Sequence, residues 1–235
     1  PPLPRGLYAI VDDASPHAPL TLVQAFLRGG ARVIQLRFKA LGSAALVECA
    51  RAALRLCREH KALLFINDRA DLVRLVNADG VHLGQDDLPV ADARRILAPH
   101  QTIGLSTHSD AEIDRALTLG VDCIGFGPVF ATATKTATAP GSAPLPPPHG
   151  IEGLSRAVAR ARNLPVIAIG GLGQANTAQV AGAGAHCVAA ISELCRAEDP
   201  ESAARSLVQE FARGANQRHD VLGAAARAGG PHGLA

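Results

Sequence analysis

Eight short apolar runs, each followed by an amphipathic stretch, predict an α/β chain folded as a single closed (β/α)8 barrel, the TIM barrel. The runs are short, rich in Val and Ile and mostly apolar on both faces, as parallel strands covered on both sides must be. They recur about every 26 residues between Gly6 and Gly214, which is what a strand, a helix and two short loops need. The length of 235 residues suits one barrel, typically ~250 residues. An open doubly wound sheet is the structural alternative. It would normally carry a Gly-rich fingerprint after its first strand, and Val11-Asp12-Asp13-Ala14-Ser15 has none.

The predicted strands, in order, are Leu7–Val11, Arg32–Arg37, Leu63–Asn67, Gly80–Leu83, Thr102–Ser106, Cys123–Phe126, Pro165–Ile169 and Cys187–Ile191. After the second strand, Leu46, Cys49, Ala50, Ala53, Leu56 and Cys57 repeat at helical spacing, with Arg51, Arg55 and Arg58 on other faces. Ser109 followed by Glu112 reads as a capping box opening the fifth helix. Gly30, Gly120 and Gly184 fall near the ends of the first, fifth and seventh helices, where a left-handed residue is wanted. Two segments break the beat. Gly127 to His149 is rich in Ala, Thr and Pro; a loop of that length in a compact domain reads as a lid or binding loop, or as disordered. The segment from Ala131 to Pro148 within it is expected to be mobile until substrate orders it. The stretch after Gly214 is rich in Ala, Gly and Arg with little periodicity. Residues 1–214 are therefore expected to form the catalytic barrel, and 215–235 a frayed, disordered tail.

Composition narrows the function classes. Apolar residues make up 48% and charged residues 19%, which allows a sizeable core and excludes disorder for the bulk of the chain. A net charge of +2 is too small to argue for a nucleic-acid or membrane partner. With 3% aromatics and no Trp, a base-stacking surface is not expected. No stretch reaches ~18 uninterrupted apolar residues, so no membrane span is expected. The start lacks the charged and apolar regions of a signal peptide, and the absence of Met reads as a processed or trimmed N-terminus. Cys49, Cys57, Cys123, Cys187 and Cys195 have apolar neighbours and no Cys-x-x-Cys spacing. They read as small buried hydrophobes in a reducing, cytoplasmic compartment.

Chemistry in such a barrel sits at the C-terminal ends of the strands, and here those ends are polar. Strand two runs into Gln35, Arg37 and Lys39; strand three into Asn67 and Asp68; strand four into Gln85, Asp86 and Asp87; strand five into Ser106 and His108. Strand six leads to Thr132, Thr134 and Lys135, strand seven to Gly170-Gly171, and strand eight to Ile191-Ser192. Gln35, Arg37 and Lys39 lie two apart and share one face of an extended strand. Three polar groups cannot all enter a dry core, so they point into a pocket at the mouth; a salt bridge closing the barrel top is the plain alternative.

The 23 basic residues include only three lysines, Lys39, Lys61 and Lys135. Lys61 ends a helix, where a cation suits the dipole. The other two fall in loops of the active face, where a compact charge suits phosphate; with three residues, chance placement is the alternative. Asp68 and Asp87 follow neighbouring strands, so two carboxylates can share one hard cation. For either one alone, a helix N-cap is an equal reading, and Asp86 reads as a cap or a solvent residue. Gly170-Gly171 and Ile191-Ser192 follow strands seven and eight, where barrels often bind phosphate on backbone N–H groups. The ends together offer two anion sites in one mouth, suited to a diphosphate and a monophosphate.

Taken in order, these segments resemble the thiamine-phosphate synthase family from Gly6-Leu7-Tyr8 to about Phe211. The resemblance rests on Gln35-x-Arg37-x-Lys39, Asn67-Asp68, Asp79 through Asp87, Gly104-Leu105-Ser106, Gly127-Pro128-Val129-Phe130, Thr132-x-Thr134-Lys135, Ile169-Gly170-Gly171 and Ile191-Ser192. It implies that the 4-amino-2-methyl-5-hydroxymethylpyrimidine diphosphate loses pyrophosphate and is attacked by the ring nitrogen of a thiazole phosphate. By position, it implies that Gln35, Arg37, Lys39, Asn67, Ser106 and Lys135 hold the diphosphate substrate, with Arg37, Lys39, Ser106 and Lys135 acting in catalysis. Asp68 and Asp87 would bind Mg2+, and Thr132, Thr134, Gly171, Ile191 and Ser192 the thiazole phosphate. The partners implied are small molecules, with room for a homo-oligomer. Phe38 departs from the family's usual polar residue and should alternate away from the pocket. The Ala/Thr/Pro loop is longer than usual.

Three other functions fit parts of this pattern. A thiazole tautomerase on the same barrel would keep the phosphate site and could use His108, which otherwise reads as a helix N-terminal or surface histidine. It would have little use for paired carboxylates. A non-catalytic phosphate-ligand-binding barrel would tolerate loss of an Asp or Lys, and none is lost. A sugar-phosphate isomerase or epimerase wants a positioned acid–base pair, whereas phosphate and metal groups dominate here. His82, inside a strand, reads as a hydrogen-bonded barrel residue.

Overall fold

Each apolar run becomes a strand because alternate side chains meet two different apolar environments. The computed structural model describes residues 2–13, 15–132 and 147–228. In it β1 (Gly6–Asp12), β2 (Val33–Arg37), β3 (Leu63–Asn67), β4 (Gly80–Leu83), β5 (Thr102–Thr107), β6 (Cys123–Phe126), β7 (Val166–Ile169) and β8 (Cys187–Ala190) pair in parallel in chain order. β8 closes back on β1. Every predicted strand is present to within one residue at each end. Tyr8, Ile10, Val33, Leu63, Phe65, Cys123, Ile167, Cys187 and Ala189 fill the barrel, while Leu7, Ala9, Val11, Ile34, Leu36, Leu64 and Ile66 face the helices. This is period-two alternation with both faces apolar.

The helices are α1 (Pro19–Arg28), α2 (Ser43–Glu59), α3 (Ala70–Val76), α4 (Val90–Ile96), α5 (Asp110–Leu119), α6 (Gly150–Arg160), α7 (Gln174–Gly182), α8 (Ser192–Cys195) and α9 (Pro200–Ala228). Gly30, Gly120 and Gly184 have φ of +99°, +69° and +102°, the left-handed conformation expected of them. Ser109 Oγ accepts the Glu112 N–H at 3.3 Å, but the Glu112 carboxylate takes the N–H of His108, at 2.6 Å, so the box closes one residue early. Cys57, Cys123, Cys187 and Cys195 are buried and Cys49 is half-buried; none is in a disulfide. Burial pushes the Cys57 and Cys187 thiols up to about 12 and Cys195 to about 11, so they stay protonated and behave as small hydrophobes. Among the described residues no helix is long and apolar enough to cross a membrane.

The C-terminal segment departs from expectation. α9 does not stop at Gly214 but runs on to Ala228; residues 229–235 lie outside the described residues. Gly214 is a packing residue: a Cβ there would sit 2.0 Å from the Ala178 carbonyl oxygen of α7. Beyond it, Arg218 donates to the Gly182 carbonyl at 2.9 Å, satisfying an acceptor at the end of α7. A glycine in an Ala-rich stretch reads as a terminator in sequence because the helix facing it is invisible there. Gly214→Ala should cost about 1–3 kcal/mol by overpacking, seen as a lower denaturation midpoint. An unchanged midpoint would mean that α7 and α9 do not approach so closely.

Candidate active site

The C-terminal mouth of the barrel holds a cavity lined by Gln35, Arg37, Lys39, Asn67, Asp68, Asp87, Ser106 and Ile191, with Tyr8, Ile10, His82 and Ile167 also on its wall. Seven polar residues expected from strand ends two to five thus converge, along with Ile191 from strand eight.

Gln35 is buried near the end of β2, and its Nε2 donates to Asn67 Oδ1 at 3.0 Å, joining the ends of β2 and β3. Arg37, the last residue of β2, forms an ion pair with Asp12, its register partner on β1. β2 ends at Arg37, as expected, and Lys39 lies beyond the strand. Past it, Asp13 Oδ2 accepts the backbone N–H groups of Lys39 and Ala40, each at 2.8 Å. Lys39 still lines the cavity, and its Nζ lies 3.9 Å from Asp68 Oδ2. Phe38 packs against the core and is absent from the cavity wall, as alternation requires.

Neither Asp68 nor Asp87 caps a helix: α3 is preceded by Arg69 and α4 by Pro89. Asp68 sits in the left-handed region, with φ of +63°, and donates its N–H to the His82 carbonyl at 2.9 Å. That backbone, which is uncommon outside glycine, turns the chain so that its carboxyl meets Asp87. Asp87 Oδ2 accepts the Gly84 N–H at 2.7 Å, and Asp86 faces solvent. Burial, a hydrogen bond to Asp87 and the charge of Asp87 push the Asp68 carboxyl up to about 6, against the pull of Lys39 and Arg37. Two carboxylates brought face to face, at a cost that shows in the raised Asp68 carboxyl, make a place where positive charge is favourable. No cluster of three or more His, Cys, Asp or Glu that could hold a metal occurs among the described residues. An all-oxygen pair beside a cavity fits a hard cation whose other ligands are substrate and water, and it does not fit zinc.

Ser106 Oγ lies 3.0 Å from His82 Nε2, and Gln85 Nε2 donates to the Ser106 carbonyl at 2.6 Å. The His82 ring occupies space that only glycines leave: a Cβ would come within 2.7 Å of it at Gly104 and 3.1 Å at Gly125. His82 is thus the hydrogen-bonded barrel residue expected. His108 is half-buried, its Nδ1 donates to the Gly127 carbonyl at 2.7 Å, and it does not line the cavity.

On the opposite side, Gly170 and Gly171 have φ of +99° and +63°. The close approach they allow is made by the neighbouring loop. A Cβ at Gly170 would meet Pro128 Cα at 2.6 Å, and one at Gly171 would meet the Ala131 oxygen at 2.4 Å. Val129 and Phe130 donate to the carbonyls of Ile169 and Gly170 at 2.9 and 3.0 Å, which fixes the approach to Thr132. Ile191 precedes α8 and Ser192 begins it. The start of α7 is partly taken by the protein's own carboxylate, since Glu193 Oε1 accepts the Gln174 N–H at 3.4 Å. Thr134 and Lys135, and with them most of the segment expected to be ordered by substrate, lie outside the described residues.

The strand-end reading missed Asp12 and Asp13, which close β1 and hold Arg37 and the Lys39 backbone. The signal was available, because Asp12-Asp13 ends the first strand as Asp68 follows the third. It also missed Tyr8 on the cavity wall, since a tyrosine inside an apolar strand carries no mark of the mouth.

The family model for thiamine monophosphate synthase matches residues 7–194. The chain is 45% identical over 210 residues to the thiamine-phosphate synthase of Anaeromyxobacter dehalogenans, covering 89% of each chain. It is 47% identical over 202 residues to that of Chlorobium luteolum, covering 86% of this chain and 91% of the relative. Among solved structures it is similar to the thiamine phosphate pyrophosphorylase of Pyrococcus furiosus, at a TM-score of 0.79 and 34% identity, covering 89% of this chain and 96% of that one. With the family's barrel, its ordered strand-end motifs in one mouth and these relatives matched over most of their length, the chain belongs to the thiamine monophosphate synthase family.

Proposed function

We propose that this chain is a transferase that joins 4-amino-2-methyl-5-hydroxymethylpyrimidine diphosphate to 4-methyl-5-(2-phosphoethyl)thiazole, or its carboxylated form, giving thiamine phosphate and pyrophosphate, with CO2 also lost from the carboxylated form. The observation that carries this reading is the convergence of Gln35, Arg37, Lys39, Asn67, Asp68, Asp87 and Ser106 on one cavity at the barrel mouth. Breaking the C–O bond to pyrophosphate builds negative charge on the leaving oxygens. Arg37, Lys39 and Lys135 stabilise that charge as it develops, which lowers the barrier more than it tightens ground-state binding. Gln35, Asn67 and Ser106 hold the diphosphate substrate in one orientation. Thr132, Thr134, Gly171, Ile191 and Ser192 hold the thiazole phosphate so that its ring nitrogen faces the carbon that loses pyrophosphate. That nitrogen carries no proton, so no general base is needed, and His108 has no part in the step.

Asp68 and Asp87 are the residues that would hold Mg2+. When bound, it supplies positive charge against the diphosphate oxygens.

The test is pyrophosphate release from the purified protein. It should require both substrates together and yield thiamine phosphate in equal amount. Binding of either phosphate ligand with no turnover would make the chain a ligand-binding barrel instead.

A further inference from the structure

We infer that Asp12 and Asp13, at the end of β1, are positioning residues for the two cations that follow on β2: Asp12 fixes the Arg37 guanidinium, and Asp13 fixes the backbone that carries Lys39. The inference rests on the proposed reading of Arg37 and Lys39 as the diphosphate clamp. Neither acid is among the residues that line the cavity, so the role assigned to each runs through the cation it holds.

Asp12 is buried and stands opposite Arg37 in the β1–β2 register. A carboxylate that deep is unfavourable unless a cation pairs with it, so the pair holds Arg37 at the cavity wall and keeps its long side chain from swinging into solvent. Asp13 is exposed, yet one of its oxygens takes two successive main-chain N–H groups, those of Lys39 and Ala40. That grip sets where the Lys39 stem leaves the chain. The same loop is anchored further on: Ser15 Oγ donates to the Cys195 carbonyl at 2.9 Å, and the His17 ring donates to Ala197 at 3.0 Å. The chain that follows both acids is therefore braced against the segment that follows strand eight. Displacing a catalytic group by an ångström can cost about 10²-fold in rate, which is the scale on which such bracing matters.

Double-mutant cycles test this, with pyrophosphate release in the presence of both substrates as the readout and the melting temperature of each variant as a control. Asp12→Ala should lower kcat/KM for the diphosphate substrate about 10- to 100-fold and leave KM for the thiazole phosphate unchanged. If Asp12 acts through Arg37, Asp12→Ala combined with Arg37→Ala should be no worse than Arg37→Ala alone. Asp13→Ala with Lys39→Ala should likewise match Lys39→Ala. The crossed pair, Asp12→Ala with Lys39→Ala, should instead multiply its losses. Asp12→Asn keeps an oxygen for the guanidinium and should recover most of what Asp12→Ala loses; it carries the test if Asp12→Ala does not fold. Multiplicative losses in the matched pairs, or an equal rise in the thiazole KM, would overturn the inference. If Arg37→Ala and Lys39→Ala both kept parental kinetics, the clamp reading would fail and the inference with it. If they are impaired while the matched pairs still multiply, only the positioning role is lost.

Discussion

Excess chelator should abolish thiamine phosphate formation, and Mg2+ should restore it. Asp68 and Asp87 share a hydrogen bond, and burial together with that contact pushes the Asp68 carboxyl up to about 6, so the pair alone carries an excess of negative charge that a cation would relieve. Two carboxylates are too few ligands for tight binding on their own, and Mg2+ usually completes its octahedron with phosphate oxygens and water. The expected behaviour is weak Mg2+ binding without substrate and firm binding with the diphosphate present. Asp68→Ala and Asp87→Ala should each raise the Mg2+ concentration needed for half-maximal activity. If both serve one ion, the double variant should be little worse than the poorer single one. Wild-type turnover in excess chelator, or normal turnover by the double variant, would remove the metal from this chemistry.

The second large effect is expected at Lys135. Its assignment to the leaving pyrophosphate rests on the Thr132-x-Thr134-Lys135 motif, since the residue lies outside the described region. Removing a group that acts on charge developing in the transition state typically costs about 10²–10³ in kcat, and Lys135→Ala should fall in that range. Lys61→Ala is the control. Lys61 follows the end of α2 in a left-handed conformation, with φ of +53°, and is exposed. Its loss should leave kinetics unchanged. Pyrophosphate release measured at saturating substrates reads both variants, and equal behaviour of the two would defeat the assignment.

The sequence by itself determined the barrel and its active face. Strand runs such as Leu63–Asn67 and Gly80–Leu83 were legible to the residue because two-sided burial leaves a continuous apolar run, a local property of the chain. The polar strand ends were legible for the same reason: Gln35, Arg37, Asn67, Asp68, Asp87 and Ser106 interrupt apolar runs at one end only, and the parallel topology gathers those ends. Only the tertiary structure decided who meets whom. Alternation tells which face a side chain takes but not which strand lies opposite, so the Asp12–Arg37 pair waited on the β1–β2 register. The meeting of Asp68 with Asp87 depended on a left-handed backbone at Asp68 that no local pattern announces. The slot for His82 is made by Gly104 and Gly125 on two neighbouring strands, and the course of α9 through Gly214 depends on the backbone of α7. In each case the deciding contact joins residues remote along the chain, and its geometry exists only once the barrel has closed.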